Sequence, residues 1–264
     1  MSTKTALLGH TGFVGSNILA QRRFDAVYHS KNIGELAGQN FDEIVCAAVS
    51  AVKWQANRDP AGDWRSIQPL LDALSQVKAD RFVLISTVDV YPNPREVFED
   101  LDLSTFQNHA YGTHRLRVED FVRKTFKTHY IIRLPGLFGP GLKKNVIFDL
   151  LNNRELEVIN PKSAFQYYDL ARLSSDVNRT IENGLPLLNL ATEPVTTEEI
   201  IQRFFPNRVV GLRAGSAGFY DFRSRHAGLW GGADGYLYRA ATVLEDLGRF
   251  LSSQEQYKPS PVSP

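Results

Sequence analysis

Two side chains in "NHAYGTHRLRVED" (108–120) offer the first chemistry in this chain. Tyr111 and Arg115 are four residues apart in a stretch that reads as a helix, so they share one face, one turn apart. A phenol titrates near pH 10 and needs a neighbouring cation before it can trade protons near neutrality. Arg115 offers a permanent positive charge and a planar fork of hydrogen-bond donors. It cannot release a proton, and it is bulkier than an ammonium group.

A second motif, "GHTGFVG", sets Gly9, Gly12 and Gly15 directly after an apolar strand and at the opening of a helix. In a dinucleotide fold the first glycine makes the tight turn, the second lets backbone approach a pyrophosphate, and the third permits close helix-to-strand packing. The spacing is GxxGxxG instead of GxGxxG, and a plain tight turn is the alternative, but the strand-turn-helix setting is the one the mechanism demands. After the second strand, "VYHSKN" carries Ser30 and Lys31 and no carboxylate. A carboxylate there would suit the ribose hydroxyls of NAD, whereas a cationic, hydroxyl-bearing loop suits a 2′-phosphate. NADP(H) is expected over NAD(H), with NAD possible; the competing reading makes Lys31 an ordinary solvated lysine. The stretch before "EIVCAA" is short, so one strand-helix unit is expected to be missing and the adenine pocket to be more open.

These residues must be held by something, and the pattern around them alternates short apolar runs with amphipathic stretches, as a parallel sheet covered by helices does. Strands are expected at 5–9, 43–48, 81–87, 130–134 and 185–191, and helices at 14–23, 60–77, 108–127 and 167–182. With 264 residues, 43% of them hydrophobic, the chain can bury a sizeable core. Thirty Lys and Arg nearly cancel 29 Asp and Glu, so overall charge gives no case for nucleic acid or a membrane surface. A single cysteine, Cys46, excludes an intramolecular disulfide framework and Cys-based metal clusters, and no metal site is expected. "MSTK" leads straight into a strand pattern without signal-peptide regions, and no apolar run could span a bilayer, so the expected location is cytoplasmic. There are no internal repeats, and the Pro- and Ser-rich tail, 257–264, is expected to be disordered.

"GHTGFVG", "IVCAA", "LISTVDVYP", "YGTHRLRVE" and "IIRLPGLFGPG" occur in an order and spacing that resembles the extended short-chain dehydrogenase/reductase family, the nucleotide-sugar epimerase and dehydratase group. The resemblance covers residues 4–142 and extends more loosely to "FQYYDLARL" and "LNLATEPVTTEEI". It implies an α/β fold with a Rossmann-type, doubly wound parallel sheet and a small C-terminal substrate domain. The division expected is a dinucleotide-binding domain at 1–142, to which 165–192 return, and a substrate-binding region at 143–164 and 193–256. Thr87 takes the position of the family's catalytic Ser/Thr and would bind the substrate oxygen, and Tyr111 becomes the general acid or base. Arg115 stands where the family has lysine, and could donate to the nicotinamide ribose. Thr11, Phe13 and Val14 join the three glycines in holding the cofactor, as do Ala47 and Ala48, with Pro135 and Gly136 passing the carboxamide. Asp63 falls where the family has an asparagine, a second departure. Lys53, in the loop after "CAAVSAV", is either a substitute cation or an ordinary loop lysine.

Within that resemblance, Val88 and Asp89 supply only half of the acidic pair used for dehydration, which disfavours elimination of water. Asp89 is then an acid/base for epimerisation, or simply a cap or surface carboxylate. Lys144 and Asn145 match where family members begin to grip a nucleotide sugar. Arg223 and Arg225 could hold a diphosphate through their forked donors, and Tyr167, Phe222 and Trp230 could stack on a base or sugar, though core packing is the competing role for each aromatic. His226 reads as a polar surface residue. The expected activity is an NADP(H)-dependent reductase or epimerase acting on a nucleotide-linked sugar, with a homodimer possible. A non-catalytic NADP(H) sensor and a reductase of non-sugar carbonyl compounds stay open.

Overall fold

Apolar segments buried on both faces form the strands of this protein, and amphipathic stretches between them form its helices. The computed structural model describes residues 4–255. In chain order the strands are β1 (Thr5–Leu8), β2 (Ala26–Tyr28), β3 (Asn40–Cys46), β4 (Lys78–Thr87), β5 (His129–Leu134), β6 (Gly136–Phe138), β7 (Ala164–Phe165), β8 (Tyr167–Asp169), β9 (Leu187–Asn189) and β10 (Val195–Thr196). The helices are α1 (Phe13–Gln21), α2 (Lys53–Arg58), α3 (Pro60–Leu74), α4 (Ala110–Thr125), α5 (Val146–Asn152), α6 (Leu173–Glu182), α7 (Thr197–Phe204) and α8 (Ala240–Ser252). The expected disordered tail lies outside the described residues.

Contacts divide the chain into two units. The first holds residues up to Asn93, Glu99–Leu134 and Ala171–Asn189. Its six strands run in the order β2-β1-β3-β4-β5-β9, every neighbour parallel, which is a Rossmann-like α/β sheet. The chain leaves β1 for β2 on one side and returns to β3 on the other, so the order reverses at β1, where such sheets open a crevice beyond the strands' carboxyl ends. Between β2 and β3 lies only the 3-10 turn Ile33–Leu36, which leaves β2 as the sheet edge. Asp59 starts α3 by accepting from Gly62 N (2.9 Å), with Pro60 in the first turn, where its missing N–H costs nothing. The i, i+3, i+4, i+7 positions Ile67, Leu70, Leu71 and Leu74 then pack into a core with Ile44, Phe82 and Leu84.

The second unit holds Pro94–Phe98, Pro135–Leu170 and the chain from Leu190 onward. This corrects the expected boundaries, because 135–142, 165–170 and 190–192 belong here and not with the dinucleotide unit. The reason is hydrogen bonding: β6 pairs in parallel with β8, and β7 pairs antiparallel with β10. Residues 94–98 follow because Asp221 N donates to Pro94 O and Arg223 N donates to Val97 O, each at 2.8 Å. The helix expected at 167–182 is likewise corrected. Tyr167–Asp169 form β8, and α6 begins only at Leu173. Adjacent, buried aromatics suit a pleated strand packed on both sides better than a helix with one apolar stripe. This unit's core joins Phe138, Ile147, Tyr167, Val195, Phe204 and Leu247.

Candidate active site

The glycine turn sits where β1 ends. Gly9 has φ +85°, and a Cβ there would lie 2.4 Å from Ala47 O, so the turn and the end of β3 approach more closely than any side chain permits. At Gly15 a Cβ would lie 2.1 Å from Gly9 O, packing α1 against the turn. The demand at Gly12 is weaker, 3.3 Å to Gly9 O, and this residue faces solvent with Thr11. Phe13 and Val14 are half-buried in the first turn of α1, which no side chain caps. Its start is thus open backbone suited to an anionic pyrophosphate. Ala47 and Ala48 lie beside the turn, Ala47 N donating to Leu8 O (2.9 Å). Ser30 and Lys31 are exposed just past β2. Next to them His29 accepts from Lys31 N through Nδ1 (3.0 Å), and its ring lies 5.3 Å from that of His10 in the glycine turn. These two imidazoles were not anticipated.

Two strands along the same edge, β4 ends at Thr87, and Tyr111 lies in the first turn of α4, buried to 6% exposure. Burial pushes the Tyr111 phenol up, as does the charge of Asp89. The charge of Arg115, a hydrogen bond from Thr87 and the charge of Lys53 pull the other way, and the net direction is upward. The Arg115 guanidinium carbon lies over the Tyr111 ring, 4.0 Å from its centroid. Its donors point elsewhere: Nη1 and Nη2 donate to Asp63 Oδ2 (2.5 Å) and Oδ1 (3.0 Å), and Nη2 also donates to Ser50 O. The donation to a nicotinamide ribose expected of Arg115 is thus not where Nη1 and Nη2 are engaged. Asp63 takes the fork, and of the Arg115 donors only the buried Nε–H lacks a partner among the described residues. His114 donates from Nδ1 to the same carboxylate (2.7 Å). Burial pushes the Asp63 carboxyl up, but the hydrogen bonds and charges of Arg115 and His114 outweigh it and hold the group below the usual carboxylate range.

Asp89 follows Thr87 in a 3-10 turn, its N–H donating to Thr87 Oγ1 (3.2 Å) and its carboxylate accepting from Lys53 Nζ (2.7 Å). Behind this layer is a network that sequence reasoning missed. The Glu119 carboxylate, fully buried, accepts from Ser86 Oγ (2.6 Å), from Arg123 Nη2 (2.8 Å) and from Arg133 Nε (3.0 Å) and Nη2 (2.6 Å). Arg133 Nη1 donates to Tyr91 Oη (2.7 Å). Thus α4, which carries Tyr111, is bolted to β4 and β5. An arginine inside the apolar strand "YIIRL" was the one available signal, because a buried guanidinium demands an anionic partner. Asn57 was missed too; its Oδ1 accepts from Tyr111 N (3.0 Å) and docks α2 at that residue.

The second unit holds Pro135, Gly136 and the residues proposed for substrate. Gly136 N donates to Gln166 O (3.1 Å). Lys144 is exposed, and Asn145 caps α5, accepting from Phe148 N (3.1 Å) and donating to Leu137 O (2.8 Å). Tyr167 is 2% exposed and packed in this unit's core, and Phe222 is fully buried, so the stacking role offered for these two rings is corrected to packing. Arg223 pairs with Asp221 (3.0 Å), and Arg225 lies over the Phe98 ring, 3.9 Å from its centroid. Trp230 and His226 are half-buried. No group of His, Cys, Asp and Glu among the described residues could hold a metal ion, and none of their helices is long and apolar enough to cross a membrane.

The Rossmann-like sheet thus carries a glycine turn at its strand-order reversal, with Thr87 at the end of β4 and Tyr111 at the start of α4. The chain belongs to the NAD dependent epimerase/dehydratase family, whose model matches residues 21–165. Its fold is similar to a dTDP-4-dehydrorhamnose reductase from Clostridium acetobutylicum, at 15% identity and TM-score 0.71, over 94% of this chain and 98% of that one. The same enzyme from Bacillus anthracis, in complex with NADP, matches at 16% identity and TM-score 0.68 over 96% and 99%. A dTDP-glucose 4,6-dehydratase from Streptomyces venezuelae, with NAD bound, matches at 14% identity and TM-score 0.72 over 95% and 97%. No curated protein matches the sequence.

Proposed function

We propose that the protein is an NADP(H)-dependent reductase or epimerase acting on a nucleotide-linked sugar. The observation that carries this reading is Tyr111, buried against the Arg115 guanidinium in the first turn of α4, on the same sheet edge as Thr87 at the end of β4 and the glycine turn at the end of β1. Gly9, Gly12, Gly15 and the open start of α1 would hold the pyrophosphate, and Ser30 and Lys31 the 2′-phosphate. A bound nicotinamide supplies the exchange of hydride with a sugar carbon. Thr87 then orients the sugar oxygen by a hydrogen bond, and the Tyr111 hydroxyl gives that oxygen its proton or takes one from it. Asp89 alone, without a second acid beside it, favours reduction or epimerisation over loss of water. The nucleotide-sugar substrates of the similar folds support the substrate class at the level of analogy.

Thermal shift tests the reading, since a ligand held by the native state at about 100 times its Kd adds about 2.7 kcal/mol of stability. NADPH should raise Tm more than NADH does, and UDP, GDP or dTDP should raise it further. Replacing Lys31→Glu should weaken NADPH about 10- to 100-fold, the value of a charged hydrogen bond, and spare NADH. Nucleoside diphosphates without effect, beside small ketones that are reduced, would transfer the activity to non-sugar carbonyl compounds. Tight NADPH binding with no turnover of any carbonyl would instead favour a sensor.

A further inference from the structure

We propose that two cations share here the electrostatic work given to one lysine in the family's Tyr-Lys pair. In this arrangement Arg115, clamped by Asp63, is the fixed charge under the Tyr111 ring, while Lys53, held by Asp89, is the second cation at the phenol. Asp63, Lys53 and Asp89 are thus positioning residues, a proposal that rests on Tyr111 being the acid-base group of the enzyme read above.

The geometry assigns these roles element by element. Asn57 of α2 accepts from Tyr111 N, so this helix touches α4 at the phenol-bearing residue itself. Lys53 is four residues before Asn57, on the same face of α2, and therefore faces the start of α4. Its ammonium is fixed there by Asp89 at 2.7 Å. Asp89 cannot drift from this position. Its N–H is bound to Thr87, its carbonyl accepts from Asn108 Nδ2 (2.9 Å), and α4 presses so closely that a Cβ on Gly112 would lie 2.2 Å from that carbonyl. On the opposite flank Asp63 takes both ends of the Arg115 fork, which stops the guanidinium from swinging to the phenol oxygen. Arg115 therefore acts on the ring from its face, and a cation placed by another element is what can act from a second side.

The charged and titratable groups around Tyr111 are Arg115 on α4, Lys53 on α2, Asp89 in the 3-10 turn after β4 and His109 at the start of α4, whose ring centroid lies 6.3 Å from that of Tyr111. The His109 imidazole is itself pushed down, by burial first and then by the charge of Lys53, so it is neutral where the phenol titrates. Lys53 and Asp89 are the pair reached by solvent, with side chains 38% and 19% exposed, against 4% for Arg115.

The test reads the phenol directly, in the cofactor-free protein. A fluorinated tyrosine placed at 111, which titrates below the alkaline range that threatens the fold, is followed by 19F NMR against pH. Lys53→Met should raise its pKa by about half a unit to one unit, the effect of losing one nearby, partly solvated charge. Lys53→Arg, which keeps the charge, should bring it back to the parent value. Asp63→Asn, which frees the Arg115 fork, should also move the titration. A Lys53→Met protein that is folded by circular dichroism and titrates as the parent does would overturn the proposal, and so would a Lys53→Arg variant that fails to rescue. Neither readout needs substrate or nucleotide. Failure here is therefore separate from failure of the functional reading, which the nucleotide thermal shifts decide.

Discussion

At the scale of single residues, Arg115 and Asp63 form one unit and not two. A bidentate carboxylate is the natural partner of a buried guanidinium, and neither would be stable there without the other. Asp63→Ala should therefore destabilise the protein by about 3–5 kcal/mol, since it strands a charge that is 4% exposed. Urea unfolding measures this. The double variant Asp63→Asn with Arg115→Lys should cost less than the sum of its parts, with a coupling of about 0.5–3 kcal/mol. Additive effects would show that the two side chains do not depend on each other.

At the scale of elements, the site is made by what the strand ends and helix starts do to backbone. Alanine usually stabilises a helix over glycine by about 0.5–1 kcal/mol. At position 15 the sign should reverse. The added methyl would meet the Gly9 carbonyl at 2.1 Å, and because both partners are backbone neither can yield without opening the turn. Gly15→Ala is expected to lose about 1–3 kcal/mol, the usual range for overpacking, and to lose NADPH binding with it. Denaturant unfolding and a fluorescence titration of NADPH check the two halves. Ordinary stability with intact NADPH binding would mean that α1 does not lie as close to the turn as described.

For the protein as a whole, stability should fall on the acid side. Burial pushes the Glu119 carboxyl up, but the charge and hydrogen bonds of Arg133, with help from Arg123 and Ser86, hold it below its ordinary 4.5. Asp63 is likewise held below its ordinary 3.8. Both groups bind protons less readily folded than unfolded. Their contribution is therefore complete above those ordinary values and is lost as pH falls through the lower folded values. Urea midpoints should be flat from pH 7 to about 5 and drop between about pH 4.5 and 2. Glu119→Gln should be less stable at pH 7 and should show a shallower acid drop; an unchanged pH profile would count against the buried pair. The two units each have a core of their own, around Phe82 in one and Phe138 in the other.

What the sequence determined by itself was everything carried by local pattern. Apolar runs such as "RFVLIST" marked the parallel strands, "GHTGFVG" marked the turn between β1 and α1, and the spacing of Tyr111 and Arg115 marked one face of α4. Each is written within one or two turns of chain, where periodicity and glycine chemistry are enough. Tertiary structure alone decided where the charges point. Arg115 lies on the face that its spacing gave, yet its donors follow a carboxylate 52 residues away, and Arg133 follows Glu119 from a neighbouring element. The same holds for β8, which is a strand because β6 offers it backbone partners, a pairing that no local period could announce. Local sterics can be read along a chain, whereas a buried charge takes its direction from whichever counter-charge the fold brings within reach.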